Sequence, residues 1–339
     1  MPDALTPPLL EVNDLRVSFA TRGGVVHAVD GLSLSVGRKE VVGIVGESGS
    51  GKSVSMYSML GLLREANVSV TGSVKFEGRE LLGLADREMR VLRGRDIGMI
   101  FQDPMTALTP VYKVGWQIAE QIRAHQDVTK AQARQRAIEL LGEVGIPEPH
   151  RRVDQFPHEF SGGMRQRVVI AMALSCNPKL LIADEPTTAL DVTTQAQILE
   201  LMGKLQDTYD SSIVLITHDM GVISEIADRV VVMYAGRPAE IGDRRAVIRT
   251  PQHPYTWGLL GAVPRVETKR SRLATIPGTP VSPLNVPTGC AFAPRCEHRF
   301  EKCDERPTLR GDGHLDACWL TIEQKVHLRA GAVETGGHA

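Results

Sequence analysis

An α/β fold with a parallel core sheet is predicted by three observations. Apolar runs of strand length recur at 41–45, 179–183, 213–217 and 230–233, and helix-forming segments lie between them. The first run, Val41-Val42-Gly43-Ile44-Val45, empties into Gly46-Glu47-Ser48-Gly49-Ser50-Gly51-Lys52-Ser53, a complete phosphate-binding loop with a helix expected over 53–63. The second, Leu180-Leu181-Ile182-Ala183, ends in two carboxylates, Asp184 and Glu185.

Taken in order, 9–19 and 32–36 read as strands, the latter alternating apolar and polar residues. Thr21-Arg22-Gly23-Gly24 supplies turn chemistry between them. Short strands at 72–76 and 97–101 follow, the first running into a Glu77-Gly78 turn. From 114 to 141 helix formers dominate, within a helical insertion at about 103–160. Beyond Ala262 the texture changes. Pro264, Pro277, Pro280, Pro283 and Pro287 exclude long helices and central strands, so an extended arm is expected. The division that results is a nucleotide-binding unit over 1–262, an extension carrying four cysteines over 263–326, and a disordered tail over 327–339.

Composition excludes several function classes. The chain's 339 residues suffice for about two domains. Its 39 Lys and Arg against 40 Asp and Glu argue against a broad nucleic-acid surface. An aromatic content of 4% leaves little for base stacking. No apolar stretch approaches the ~18 residues that cross a bilayer. The start, Met-Pro-Asp-Ala-Leu-Thr-Pro-Pro, lacks the basic and apolar segments of a secretion signal. A soluble cytoplasmic chain is therefore expected, with any membrane role exercised through a partner. Cys176, alone in an apolar helical stretch, reads as a buried structural thiol.

The chemistry follows from residue types. Gly46, Gly49 and Gly51 let main-chain N–H groups approach phosphate oxygens. Lys52 reaches the β- and γ-phosphates, and the Ser53 hydroxyl can bind Mg²⁺. Asp184, at its strand end, is placed to hold the hydrated Mg²⁺, and Glu185 to polarise the attacking water. A second Gly-rich segment, Phe160-Ser161-Gly162-Gly163-Met164, opens another helix and reads as a second phosphate grip. A second grip is useful only to the nucleotide of another subunit, so two chains are expected to sandwich ATP between them. His218 ends the buried run 213–217, where ligands gather in α/β sheets.

Together, the 46–53 loop, Gln102, Ser161-Gly162-Gly163, Asp184-Glu185, Ala189-Leu190-Asp191 and His218 resemble the nucleotide-binding subunit of an ATP-binding-cassette transporter, over about residues 9–260. The resemblance implies a phosphate-loop NTPase cassette with a parallel core sheet, an antiparallel β subdomain and a helical subdomain. It implies that Phe19 stacks on adenine, and that Gln102 contacts Mg²⁺ and the water while sensing a membrane partner. Ser161, Gly162 and Gly163 would bind the γ-phosphate on the opposite subunit, Asp191 would bridge the two sites, and His218 would hold Glu185 in line. One departure is Met164, where the family usually has Gln.

Pro251-Gln252-His253-Pro254-Tyr255-Thr256, Ile276-Pro277-Gly278-Thr279-Pro280 and Cys290-Ala291-Phe292-Ala293-Pro294-Arg295-Cys296 resemble the C-terminal extension of oligopeptide and dipeptide import ATPases. The resemblance is to the first of their two unlike ATPase subunits. It implies a sister ATPase, two membrane permease subunits, an extracytoplasmic peptide-binding protein, no nucleic acid, and a peripheral place on the cytoplasmic face of the cell membrane. Nickel importers share the extension, and a soluble cassette ATPase acting on nucleic acid or ribosomes is the rival class. Cys290, Cys296, Cys303 and Cys318 have the right count for a four-thiolate site in a reduced compartment. The resembled family implies a [4Fe–4S] cluster on them, with Zn²⁺ or free thiols as alternatives.

Overall fold

The computed structural model describes residues 7–188, 190–262 and 275–335; the expectations attached to Pro264 and Ala189 lie outside these. Strands β1 (Leu10–Thr21) and β2 (Gly24–Val36) form a hairpin, paired from Thr21↔Gly24 to Leu10↔Val36. The second strand is far longer than the 32–36 expected. Its first half, Gly24 to Asp30, follows directly on the turn residues and is drawn into the strand by pairing with β1. Strand β3 (Val41–Val45) leads through the phosphate loop into helix α1 (Lys52–Met59). That helix stops short of the expected 63 because Gly61 takes a left-handed φ of 59°. Strands β4 (Val68–Phe76) and β5 (Arg79–Glu80) complete a four-stranded antiparallel sheet in the order β2-β1-β4-β5.

Helix α2 (Asp86–Leu92) and strand β6 (Ile97–Ile100) return the chain to the core sheet, and a run of helices follows: α3 (Pro104–Ala107), α4 (Val114–His125), α5 (Lys130–Glu143), α6 (Pro149–Arg152) and α7 (Gly162–Leu174). The stretch 114–141 is split in two. Thr129 starts a new helix, its hydroxyl accepting from the Gln132 N–H while the Gln132 side chain accepts from the Thr129 N–H. Then come β7 (Leu180–Asp184), α8 (Val192–Tyr209), β8 (Ser212–Thr217), α9 (Met220–Ile226), β9 (Arg229–Tyr234), β10 (Arg237–Asp243), α10 (Arg244–Arg249) and α11 (Pro254–Gly261).

With β11 (Leu315–Asp316) at one edge, the core sheet runs β11-β10-β9-β3-β8-β7-β6, parallel from β9 to β6. Its parallel strands are largely apolar without alternation because both faces are covered. Val41, Leu181, Ala183 and Leu215 face one hydrophobic core, shared with the helices. Val42, Leu180, Ile182 and Val214 face the other, shared with the antiparallel sheet. A period of two thus sends one strand's side chains into two cores.

The last strand, β11 (Leu315–Asp316), comes from the C-terminal extension and pairs antiparallel with β10 through Glu240↔Asp316. Ala291 and Phe292 also lie in the larger core, with Phe292 edge-on to Tyr234. The extension is therefore more than an arm laid outside the core. Helix α12 (Ile322–Thr335) corrects the expectation of disorder from 327. Thr321 and Gln324 cap its start reciprocally, and Lys325, almost wholly buried, donates to Asp316 at 2.7 Å, which ties the helix down. Among the described residues, no helix is long and apolar enough to cross a membrane.

Candidate active site

The phosphate loop is shaped by its glycines at two places. Gly51 has φ 95°, and a Cβ there would lie 2.2 Å from the Ala28 carbonyl oxygen. Gly49 has φ 78° and faces open space, which leaves the backbone bare where a phosphate would approach. Helix α1 starts at Gly51 with no side-chain cap and no acidic residue in its first turn, so its N–H groups remain available to an anion. The Ser50 hydroxyl is buried without a partner among the described residues. Ser48 is exposed at the loop tip. Lys52 is buried and donates to the Gly46 and Glu47 carbonyls at 2.7 and 3.0 Å. Burial depresses its pKa, against the opposing pull of Glu185, Asp184 and Glu47. These features fit a bound nucleotide phosphate.

The structure brings the acids to this loop. Asp184 is fully buried; its Oδ1 accepts from the Ser53 hydroxyl at 2.9 Å and its Oδ2 from the Tyr57 hydroxyl at 2.8 Å. Burial raises its pKa, and the two hydrogen bonds only partly oppose this. The oxygens of Ser53 and Asp184 are the donor set a hydrated Mg²⁺ takes.

Glu185 follows with a left-handed φ of 48°, which turns it away from the strand's alternation. Its Oε2 accepts from Gln102 Nε2 at 3.1 Å and from the Thr188 hydroxyl at 2.8 Å. His218 Nδ1 lies 3.3 Å from its Oε1. Burial pushes its pKa up, but the hydrogen bonds from Thr188 and His218 and the charges of His218 and Lys52 outweigh it. The carboxyl is held below its ordinary value. An ionised carboxylate gripped by three side chains is a suitable acceptor for a water proton.

Other expected residues sit apart. Phe19 pairs with Val26 and Val68 in the antiparallel sheet and is half-buried against the second core. Ser161 caps α7 by accepting from the Met164 N–H at 3.3 Å, and Asp191 caps α8 by accepting from the Thr194 N–H at 2.9 Å; both are exposed. A Cβ on Gly163 would press to 2.8 Å from Thr194 Cγ2, whereas one on Gly162 would meet nothing within 4 Å. Helix α7 packs on α3, α4, α5 and β6, while α1 packs on β1 and β2. The two Gly-rich segments thus belong to different parts of the chain.

Sequence reading missed four residues at the site: Tyr57, Thr188, Tyr255 and Arg295. Tyr57 was legible, since it stands four residues after Ser53 and shares its helix face. Tyr255, whose hydroxyl accepts from the Glu47 N–H at 2.8 Å, and Arg295, paired with the Glu47 carboxylate, arrive from distant sequence and carry no local signal.

In the extension, Cys290, Cys296, Cys303 and Cys318 line one small cavity with Phe292, Phe300 and Leu320. Among the described residues, no three Cys, His, Asp or Glu side chains come together closely enough to hold a single metal ion. Burial pushes the thiols of Cys290, Cys296 and Cys318 up, Cys296 to about 11 and Cys318 to about 12. Cys176 is buried in the helical region, as its apolar surroundings predict.

Comparison with known proteins agrees with this geometry. The ABC transporter family pattern matches residues 29–188, and the oligopeptide/dipeptide transporter C-terminal region matches residues 239–303. The dipeptide transport ATP-binding protein DppD of Bacillus subtilis is 52% identical over 323 residues, covering 94% of this chain and 96% of that one. The oligopeptide transport ATP-binding protein OppD of Salmonella typhimurium is 51% identical over 318 residues, covering 93% and 95%. Among solved structures, the ATP-binding cassette MJ0796, in a dimeric post-hydrolysis state with ADP and Pi, superposes with a TM-score of 0.63 at 27% identity. The match covers 70% of this chain and 99% of that one. With half its residues shared along nearly its whole length, this chain belongs to the ATP-binding-cassette transporter ATPases, among the oligopeptide and dipeptide transport ATP-binding proteins.

Proposed function

We propose that this chain hydrolyses ATP to drive the import of oligopeptides or dipeptides through a membrane permease. The observation that carries the reading is Glu185, held by Gln102, Thr188 and His218 beside the Asp184–Ser53 pair at the mouth of the phosphate loop. Glu185 accepts the proton of the attacking water, His218 keeps it aligned, and Lys52 and the α1 N-terminus stabilise the phosphates. Ser53, Asp184 and Gln102 would hold Mg²⁺, which would neutralise phosphate charge there. Peptide as cargo is supported by the names of the relatives and the matched C-terminal region.

The site is completed by a sister ATPase. In support, one chain gives no steric reason for glycine at position 162, and its open face suits a phosphate presented from outside. Ser161, Gly162 and Gly163 grip the γ-phosphate of the sister's ATP, Asp191 links the two sites, and Phe19 stacks on adenine. Two permease chains and an extracytoplasmic binding protein complete the importer, with this chain at the cytoplasmic face of the membrane. The test is reconstitution of these subunits in proteoliposomes with labelled peptide outside and ATP on the side of this chain. ATP-dependent peptide uptake, lost in Glu185→Gln, is expected; uptake of nickel alone, or co-purification with ribosomes rather than permeases, overturns it.

The four cysteines are read as ligands of a [4Fe–4S] cluster. In support, the four thiols line one small cavity, and four is the number of thiolates such a cluster takes. Anaerobic purification should give about four iron and four sulfide per chain with visible absorbance; stoichiometric zinc overturns this.

A further inference from the structure

The residue that the phosphate loop holds most firmly is Glu47, and most of its restraint comes from beyond the loop. Its N–H donates to the Tyr255 hydroxyl at 2.8 Å, and its carbonyl accepts from Lys52 at 3.0 Å. Its carboxylate takes a two-pronged bond from Arg295, Nη1 to Oε2 at 2.6 Å and Nη2 to Oε1 at 3.0 Å. Arg295 lies in a 3₁₀ turn of the extension, its side chain 4% exposed. Its Nε donates to the Pro277 carbonyl at 2.9 Å, and its guanidinium lies within 6.0 Å of the Tyr234 and Phe292 ring centres. A planar fork fixed at its stem and bordered by two rings transmits position rather than charge alone.

We propose that the C-terminal extension is part of the nucleotide site: Arg295 is a positioning residue that, through Glu47, holds the phosphate loop in its nucleotide-binding shape. The contact spans 248 positions of sequence. It places the extension's 290–296 segment in direct touch with the loop that binds the triphosphate. The inference rests on the reading above that the 46–53 loop holds ATP.

The test is a double-mutant cycle in the full-length chain, with ATP affinity measured by equilibrium titration and folding by urea denaturation without nucleotide. Arg295→Gln and Glu47→Gln should each weaken ATP binding about tenfold, and the double variant should do no worse than either alone. In the reconstituted importer the loss should appear in KM for ATP, with kcat nearly unchanged. Affinity within twofold of the parent in folded Glu47→Gln overturns the proposal, as do losses that multiply in the double variant. Should Arg295→Gln not fold, Glu47→Gln decides, because it leaves the extension's other contacts in place. Lys52→Ala serves as the control: unimpaired ATP binding there refutes the nucleotide reading of the loop itself.

Discussion

Two helix N-termini in this molecule follow a Gly-rich segment, and they are finished differently. Helix α1 begins at Gly51 with no side-chain cap, beneath a loop whose Lys52 and Ser50 are buried. Helix α7 begins at Ser161, whose own hydroxyl caps it, on an exposed surface. The first leaves its donors for a ligand and is walled in by the chain. The second has one first-turn donor capped by its own serine, and a Cβ on its glycine at 162 would meet nothing within 4 Å. The same structural element is thus ended in two ways, once enclosed by its own chain and once open to solvent.

The largest effect expected is on the walled-in side. Glu185→Gln should slow ATP hydrolysis about a thousandfold while ATP still binds; single-turnover hydrolysis beside equilibrium binding measures both. Near-normal turnover would remove Glu185 from its role. On the exposed side, Gly162→Val should lower ATPase activity of the assembled complex about a hundredfold. Its unfolding free energy should stay within about 0.5 kcal/mol of the parent, because a Cβ at this position meets nothing within 4 Å. Gly163→Ala should instead cost about 1 kcal/mol, since its methyl meets Thr194. If both variants behaved alike in denaturation, the contrast between the two glycines would fail.

Acid should loosen the two sites unequally. His253 caps α11, the helix of Tyr255, by accepting from the Tyr255 N–H at 3.1 Å. Burial lowers its pKa to about 4. The unfolded chain takes up that proton near pH 6.5 and the folded chain only near 4, so the stability His253 contributes is full above about 6.5 and lost as pH falls towards 4. Between pH 7 and pH 5 the loss should be about 2 kcal/mol in urea denaturation, and His253→Asn should flatten the profile. The serine cap of α7 does not titrate in this range. The smallest effect concerns Tyr57. Tyr57→Phe removes one of two donors that fix Asp184 and should raise the Mg²⁺ needed for half-maximal ATPase about fivefold.

Much of the parallel sheet was legible because a strand buried on both faces announces itself as an unbroken apolar run, as at Val41–Val45 and Leu180–Asp184. The site's centre was legible for a related reason: Ser53, Asp184, Glu185 and His218 all stand where a buried strand ends or a helix begins, and the structure brings them together. What escaped was non-local. The first half of β2 adjoins the Gly23-Gly24 turn and is fixed as a strand by pairing with β1. Helix α12 was hidden in a Gly- and Ala-containing tail, and its start is fixed by a capping pair and by Lys325 reaching Asp316. Arg295 gives no sign in sequence of the loop it touches.

The two-residue strand β11 has a consequence out of proportion to its length. Glu240, opposite Asp316, is completely enclosed and accepts from the Gln252 N–H, the His253 N–H and the His314 ring. A protein trimmed after α11 would lose His314 and bare the lateral seam of β10, an open ladder ready to recruit another chain. Truncation at a boundary drawn from the catalytic motifs alone would therefore yield a sticky fragment, and the shortest well-behaved form of this protein must run past Asp316.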